Sequence, residues 1–157
     1  MLFRSKFIRH YWINLKEQVY RSLLNLLEQK IKTAQQSIHS IQESRNNETK
    51  SSAGDKYETA RAMMQSELEK EAQVLHQLLQ QQNEVQKIKK LKKSEIIGFG
   101  SFVETNIGNY FIAVGVGTLE GAYIISLVSP LGKALMGHKK GESVQFQNRT
   151  FNIKNVQ

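Results

Sequence analysis

Two carboxylates lie three residues apart in KSSAGDKYETA, a polar stretch of residues 50–60 in the middle of the chain. On a helix, residues at this spacing share a face, with their Cβ atoms about 5 to 6 Å apart. Asp55 and Glu58 could therefore hold one hard cation such as Mg²⁺, which commonly takes one or two carboxylates plus water. The same spacing fits a capping box with Asp55 as the N-cap and Glu58 at N3, and Ser52 with Asp55 is a rival register. Each interpretation places a helix start at this stretch.

No other set of residues has the spacing of an active site or a metal centre. The four histidines are scattered without metal-ligand spacing, and no serine lies in a nucleophile-elbow context. Gly115 and Gly117 form a lone G-x-G, for which a strand bend is a better interpretation than a phosphate cradle. The chemistry that the sequence offers is therefore concentrated at Asp55 and Glu58.

The composition favours a basic protein of a reducing compartment. Lysine and arginine outnumber aspartate and glutamate by 22 to 14, for a net charge of +8. This excess favours a polyanion such as nucleic acid, or the acidic surface of a large enzyme, as the partner. The chain has no cysteine, which fits a cytoplasmic location without requiring it. No apolar run approaches the roughly 18 residues of a membrane span, and residues 1–12 predict a basic N-terminal extension rather than a signal peptide.

Two long segments carry the alternating three- and four-residue spacing of apolar residues that is typical of coiled coils. The first, residues 13–43, has no glycine or proline, and its seam comprises Leu24, Leu27, Ile31, Ala34, Ile38 and Ile41. In the second, residues 57–91, the seam comprises Met64, Leu68, Ala72, Leu75, Leu79, Val85 and Ile88. The polar residues between them predict a turn. A parallel dimer is the alternative, but near-equal arms favour an antiparallel hairpin in a monomer, over residues 13–93 with its tip near 44–58.

The second arm ends in KIKKLKK, residues 87–93, which has five lysines in seven positions. Lysines at the end of a helix complement its dipole, and this is the simpler explanation. A patch that faces phosphate groups is the alternative. The sequence leaves both open.

After Ser94 the composition changes to β-branched and aromatic residues punctuated by glycine. Five short strands are predicted, SFVETN, YFIAVG, AYIISLV, SVQFQ and TFNIKNV, with turn signals at IGN, GTLEG and QNR. Between the third and fourth strands, Ser129 and Pro130 open a short helix through Met136, and Gly137 is the glycine at its C-terminal end. Residues 95–157 are therefore predicted to form a small α+β domain with a mostly antiparallel sheet.

Two stretches of this sequence resemble the bacterial Gre transcript-cleavage factors. GDKYETA, residues 54–60, is similar to the family's tip pattern of Gly-Asp, two residues, Glu, a small polar residue and Ala. ISLVSPLGKALMGHKKGESV, residues 125–144, is similar to its Ile-Ser, two residues, Ser-Pro motif with the Ala-Leu and glycines that follow. The resemblance covers roughly residues 13–157. It implies an N-terminal antiparallel coiled-coil hairpin followed by a small FKBP-like domain.

The resemblance also implies a function. Gre factors bind RNA polymerase and insert the hairpin into its secondary channel, where the tip acids help to hold a catalytic Mg²⁺ shared with the polymerase. By resemblance, Asp55 and Glu58 are the metal-binding and catalytic acids that stimulate cleavage of backtracked RNA at the nascent 3′ end. The chain would have no such activity alone. The segment around Ser129, Pro130 and Lys133 would dock at the channel rim.

Departures from the family pattern keep other functions open. Where the family continues after its Ala with Glu and Tyr, this chain has Arg61 and Ala62, and Tyr57 lies inside the motif. These differences change the electrostatics of the tip. A regulator that binds the secondary channel without cleavage is the first alternative. A prolyl isomerase or chaperone with a coiled-coil arm is the second.

Overall fold

Two long helices precede a six-stranded sheet with one short helix in the computed structural model, which describes residues 2–48 and 54–157. The helices are α1 (Leu2–Glu48), α2 (Asp55–Lys87), a 3₁₀ turn (Ile88–Lys90) and α3 (Pro130–Leu135). The strands are β1 (Phe102–Thr105), β2 (Asn109–Ala113), β3 (Gly117–Leu119), β4 (Ala122–Ser126), β5 (Ser143–Phe146) and β6 (Arg149–Val156). The predicted α+β class, with a helical hairpin before a mostly antiparallel sheet, is confirmed.

The chain forms two compact units, and the boundary between them does not coincide with a change of secondary structure. One unit comprises Leu26–Gln82, which contains parts of both α1 and α2. The other combines Met1–Asn25 and Asn83–Gln157, and it therefore includes the base of the hairpin together with the whole sheet. Helix α1 already begins at Leu2, and the described part of the predicted N-terminal extension is thus continuous with the first arm.

The seam of α1 lies where the apolar spacing predicts it, apart from one position. Leu27, Ile31 and Ala34 are buried, and Ile38 and Ile41 are half-buried. At the base, Leu23 is fully buried while Leu24 is only half-buried. From Leu27 to Ile41 the spacing alternates four and three residues, and Leu23 joins this line with a second spacing of four.

The seam of α2 differs from the predicted one in its middle. Ala72 and Leu79 are exposed, and the residues that turn inward there are Glu71 and Leu78. Apart from Tyr57, Ala60 and Gln81, the less exposed positions of this arm are Met64, Leu68, Glu71, Leu75, Leu78, Gln82 and Val85. Their spacing alternates four and three without a break, which keeps one face of the helix towards the partner arm. Two of these positions, Glu71 and Gln82, are polar. They are covered because they lie on the helix face that packs against the other arm, whatever their residue type.

The sheet has the strand order β3-β4-β2-β1-β6-β5. All neighbouring pairs are antiparallel except β2 and β4, which run parallel. Strand β3 is missing from the sequence prediction, which treated GTLEG as a turn. Only the last part of this segment turns, at Glu120 and Gly121, which have φ angles of 50° and 75°. Such a pair of positive φ angles suits the right-handed twist of the two strands that it joins.

The core of the sheet domain lies between the sheet and α3. It comprises Ile97, Val103, Tyr110, Ile112, Leu135, Val144, Phe151 and Ile153. Leu131 and Ala134 pack against this cluster from α3, which turns its opposite side to solvent. The fully buried rings of Phe102 and Phe111 form a neighbouring pair, with centroids 6.3 Å apart.

The base of α1 contacts the sheet domain through hydrogen bonds within the same compact unit. Ser22 Oγ donates to Glu120 Oε1 at 2.7 Å, and Gln18 Nε2 donates to the other oxygen of this carboxylate at 3.2 Å. Lys16 Nζ donates to the backbone oxygen of Gln157 at 2.9 Å. These bonds connect α1 with the β3–β4 turn and with the residue after β6. Within residues 2–48 and 54–157, no helix has an apolar stretch long enough to cross a membrane.

Candidate functional site

The two predicted acids lie in the first turn of α2, where the chain returns from the tip of the hairpin. The backbone oxygen of Gly54 accepts the first helical hydrogen bonds, from Tyr57 N at 3.0 Å and Glu58 N at 3.4 Å. Gly54 is therefore the N-cap residue, and Asp55 occupies the position after it. The capping box with Asp55 as the N-cap is wrong. The rival register depends on Ser52, which lies outside the described residues.

Both carboxylates are open to solvent. Asp55 and Glu58 are exposed, and among the described residues no side chain forms a hydrogen bond or ion pair with either carboxylate. Half-buried Tyr57 and Met64 mark the covered side of this part of α2. A helix turns by about 100° per residue, which places the two acids on the side away from that seam. Their position near the positive end of the helix dipole favours negative charge there.

The charge around the acids is balanced rather than strongly negative. Lys56 and Arg61 are also exposed in the first two turns of α2, and they offset the two carboxylates. Arg61 follows Glu58 by three residues, which puts both side chains within reach of each other on the helix surface. Arg61 stands where the Gre pattern has glutamate, and it supplies one of the two positive charges near the acids. The tip therefore presents two free acids in a locally neutral setting.

The donor set of the tip fits a partial site for Mg²⁺. Two carboxylates on one helix face supply oxygen ligands, which is the number that Mg²⁺ often takes from a protein. No group of three or more histidine, aspartate or glutamate side chains that could hold a metal occurs in the described part of the chain. Further ligands would have to come from water, a substrate or another protein. The arrangement thus suits a metal shared with a partner.

The predicted docking segment lies at the start of α3, and its three residues have different roles in the fold. Ser129 caps α3, because its Oγ accepts from Gly132 N at 3.1 Å and donates to Ser126 O at 2.6 Å. Its hydroxyl is therefore engaged within the protein. Pro130 is the first helical residue and Lys133 lies one turn later, and both are exposed.

Two apolar residues beside this segment were not among the predicted site residues. Val128 is 75% exposed and Met136 is 51% exposed, so that two large apolar side chains lie open to solvent beside Pro130 and Lys133. Together with Pro130 and Lys133 they form the outer side of α3 and of the loop before it, which we call the α3 surface. The helical spacing of residues 130, 133 and 136 in the sequence could have indicated it, since Leu131, Ala134 and Leu135 take the inner side.

The described residues thus offer two candidate regions, an exposed acidic pair in the first turn of α2 and an exposed apolar and basic surface at α3. Residues 109–157 match the family model described as transcription elongation factor, GreA/GreB, C-term. The matched segment contains β2 to β6 and α3, with Ser129, Pro130 and Lys133. It confirms the resemblance to the GreA/GreB family, and the architecture agrees with the fold of that family. The match does not include Asp55 and Glu58, and no curated protein matches the chain.

Proposed function

We propose that this protein is a Gre-like transcription elongation factor that binds RNA polymerase and stimulates cleavage of backtracked RNA. The observation that carries the proposal is the pair of exposed, unengaged carboxylates of Asp55 and Glu58 in the first turn of α2. The GreA/GreB match of residues 109–157 supports the assignment independently, because it lies in another part of the chain. By this function the protein acts in the cytoplasm as a monomer.

The tip would act only inside the polymerase. There, Asp55 and Glu58 would provide two of the ligands for Mg²⁺, and polymerase residues, RNA and water would provide the others. When bound, Mg²⁺ supplies charge stabilisation for the attacking and leaving oxygens of phosphodiester hydrolysis. The carboxylates can also orient a water molecule near the 3′ end of the backtracked RNA. As the resemblance to Gre factors implies, the helical arms would carry the acids into the secondary channel of the polymerase.

The α3 surface would hold the protein at the rim of the polymerase channel. Val128 and Met136 offer apolar contact area, and Lys133 offers a positive charge for an acidic partner surface. Ser129 would contribute by fixing the start of α3, since its hydroxyl is already engaged with Ser126 and Gly132. Replacing Lys133 by glutamate should weaken polymerase binding more than the same replacement at exposed Lys154 on β6.

A cleavage assay on backtracked elongation complexes with Mg²⁺ tests the catalytic role. The wild-type protein should release short 3′ RNA fragments, and Asp55→Asn with Glu58→Gln should reduce the rate by about 100-fold or more, as expected for removing groups that act on the reacting atoms. Glu67→Gln, an exposed carboxylate further along α2, is the matched control and should leave the rate unchanged. Equal cleavage by the double variant and by wild type would refute the catalytic role.

A second candidate function is supported by the neutral charge of the tip. Lys56 and Arg61 beside the acids would weaken the local negative potential that attracts a metal ion. A protein of this kind could occupy the channel and alter initiation or pausing without cleavage. In the same assay it would compete with an active cleavage factor for the polymerase but release no fragments. Arg61→Glu should then create or increase cleavage.

A further inference from the structure

The lysine run at the end of α2 does not continue the helix. Helix α2 ends at Lys87, one 3₁₀ turn follows, and Leu91 is already extended, with φ −72° and ψ 140°. Lys87 is engaged with Glu84 of the preceding turn. The remaining lysines of the run, Lys89, Lys90, Lys92 and Lys93, are exposed. Because the backbone changes direction here, these lysines do not form one helical stripe, and a simple complement to the helix dipole accounts for only part of the run.

A cleft of about 870 Å³ lies beside this turn, entirely within the compact unit that contains the sheet. The base of α1 contributes Lys16 and Tyr20 to its wall, the 3₁₀ turn and the following residues contribute Lys89, Leu91 and Lys93, and Gln157 closes one side. Sites for small molecules in proteins commonly have volumes of about 300 to 1,000 Å³. The cleft therefore has the size of a small-molecule site.

Positive charge dominates this cleft. Lys16 is half-buried, and burial together with the charge of Lys93 lowers the pKa of the Lys16 ammonium. In the described part of the chain, no side-chain carboxylate lies within ion-pair distance of Lys16, Lys89 or Lys93. An anion bound between the Lys16 and Lys93 ammonium groups would relieve their mutual repulsion, and exposed Lys89 lines the same cleft.

Two glutamates also line the cleft, but neither neutralises the lysines. Glu17 Oε1 lies 2.9 Å from Arg21 Nε, and this carboxylate is therefore already engaged. Glu95 is exposed at the wall of the cleft. Lys16 Nζ also donates to the backbone oxygen of Gln157 at 2.9 Å, whereas Lys89 and Lys93 are exposed. Three lysines against one unengaged side-chain carboxylate leave an excess of positive charge.

The cleft also has an apolar wall. Leu91 is 50% exposed, although it follows the buried Ile88, and both residues line the cleft. The combination of a cationic cluster and an exposed apolar wall suits a ligand that carries phosphate groups on a planar, partly apolar body. A phosphate chain alone would use the lysines but leave Leu91 uncovered. An extended nucleic-acid backbone would contact the exposed lysines but would not need to enter the cleft.

We propose that this cleft binds a nucleotide, with its phosphates at Lys16, Lys89 and Lys93 and its base against Leu91. The site would lie within the compact unit that contains the sheet, and it shares no residue with the tip or with the α3 surface. The proposal does not rest on the function in transcription, because the cleft is formed by this chain alone.

Isothermal titration calorimetry of the full chain with ATP and with inorganic pyrophosphate tests the proposal. Both probes should bind the wild-type protein, and ATP should bind more tightly. Lys89→Gln with Lys93→Gln should weaken both by about 10-fold or more, whereas the matched control Lys30→Gln with Lys32→Gln, which removes the same charge from exposed positions of α1, should change neither. Leu91→Ala should weaken ATP binding only.

Three outcomes would overturn the proposal. They are the absence of binding by both probes, an equal loss of affinity in the two double variants, and single-stranded RNA binding that is tighter than ATP binding and insensitive to Leu91→Ala. The last outcome would assign the lysines to a nucleic-acid backbone. Circular dichroism of each variant checks the fold, and the exposed positions of Lys89 and Lys93 make loss of folding unexpected.

Discussion

Nδ1 of His138 lies 2.8 Å from Oε2 of Glu142, and the imidazole N–H donates to this carboxylate across the loop between α3 and β5. The backbone N–H of Lys139 donates to the same oxygen at 3.1 Å. Both bonds favour the charged form of the carboxylate. The Lys139 N–H and then the His138 side chain lower the pKa of Glu142 below its ordinary value of 4.5.

This lowered pKa predicts a specific loss of stability in acid. Between the lowered pKa and about 4.5 the unfolded state binds more protons at Glu142, and the free energy of unfolding therefore falls as the pH decreases through this range. Above this pH range, the stabilising contribution of the ionised Glu142 carboxylate is fully present. Glu142→Gln should flatten this part of the profile, while Glu67→Gln on α2 should leave it unchanged. Urea unfolding at a series of pH values measures the difference, and parallel profiles for wild type and Glu142→Gln would contradict the prediction.

A second prediction concerns the seam of α2. Leu78 is half-buried, whereas its neighbour Leu79 is 44% exposed. Leu78→Ala should lower the free energy of unfolding by about 1 to 2 kcal/mol, because it removes packed methyl groups. Leu79→Ala should change it by less than about 0.5 kcal/mol. Chemical unfolding followed by circular dichroism compares the two, and a larger loss for Leu79→Ala would restore the seam that the sequence suggested.

A third prediction concerns the glycine of α3. A Cβ atom added to Gly132 would lie 2.1 Å from the backbone oxygen of Ser126, a distance that requires the backbone to move. Gly132→Ala should therefore destabilise the sheet domain by about 2 kcal/mol or more, by overpacking. It should also disturb the α3 surface and weaken polymerase binding.

Gly98→Ala is the matched control for this change. A Cβ at Gly98 would meet no heavy atom within 4 Å. Its melting temperature should stay close to that of wild type, or rise slightly because alanine restricts the unfolded chain. If thermal unfolding showed equal losses at both glycines, close packing at Gly132 would not be the cause.

Some features were predicted well because they depend on neighbours in the sequence. Ser129 and Pro130 predicted the start of α3, because an N-cap residue and a proline at the first helical position act on the adjacent turn. The polar stretch before Asp55 likewise predicted a helix start, because polar residues and glycine favour the turn that precedes a helix. Its cap was assigned to the wrong residue, because sequence spacing could not reveal that the Gly54 oxygen accepts the first helical bonds.

Other features depended on contacts between distant segments. Strand β3 has only three residues and pairs on one side with β4, and its sequence therefore gave no strand pattern of useful length. Lys16 shares a cleft with Lys93 although 77 residues separate them, and no local spacing could bring the two together. The exposure of Val128 likewise depends on the packing of α3 against the core, whereas the spacing of residues 130, 133 and 136 could have indicated that of Met136.

The sequence by itself determined the two helical arms, the break between them, the sheet domain and the two candidate acids, because helix periodicity, caps and turn residues act over a few positions. Tertiary structure decided which face of α2 is covered, how β2 and β4 pair, and which lysines meet at the base of the hairpin. These depend on the burial of whole faces against partners far away in the chain. Asp55 and Glu58 are candidates by type and spacing, and the structure adds that both are exposed without a side-chain partner among the described residues.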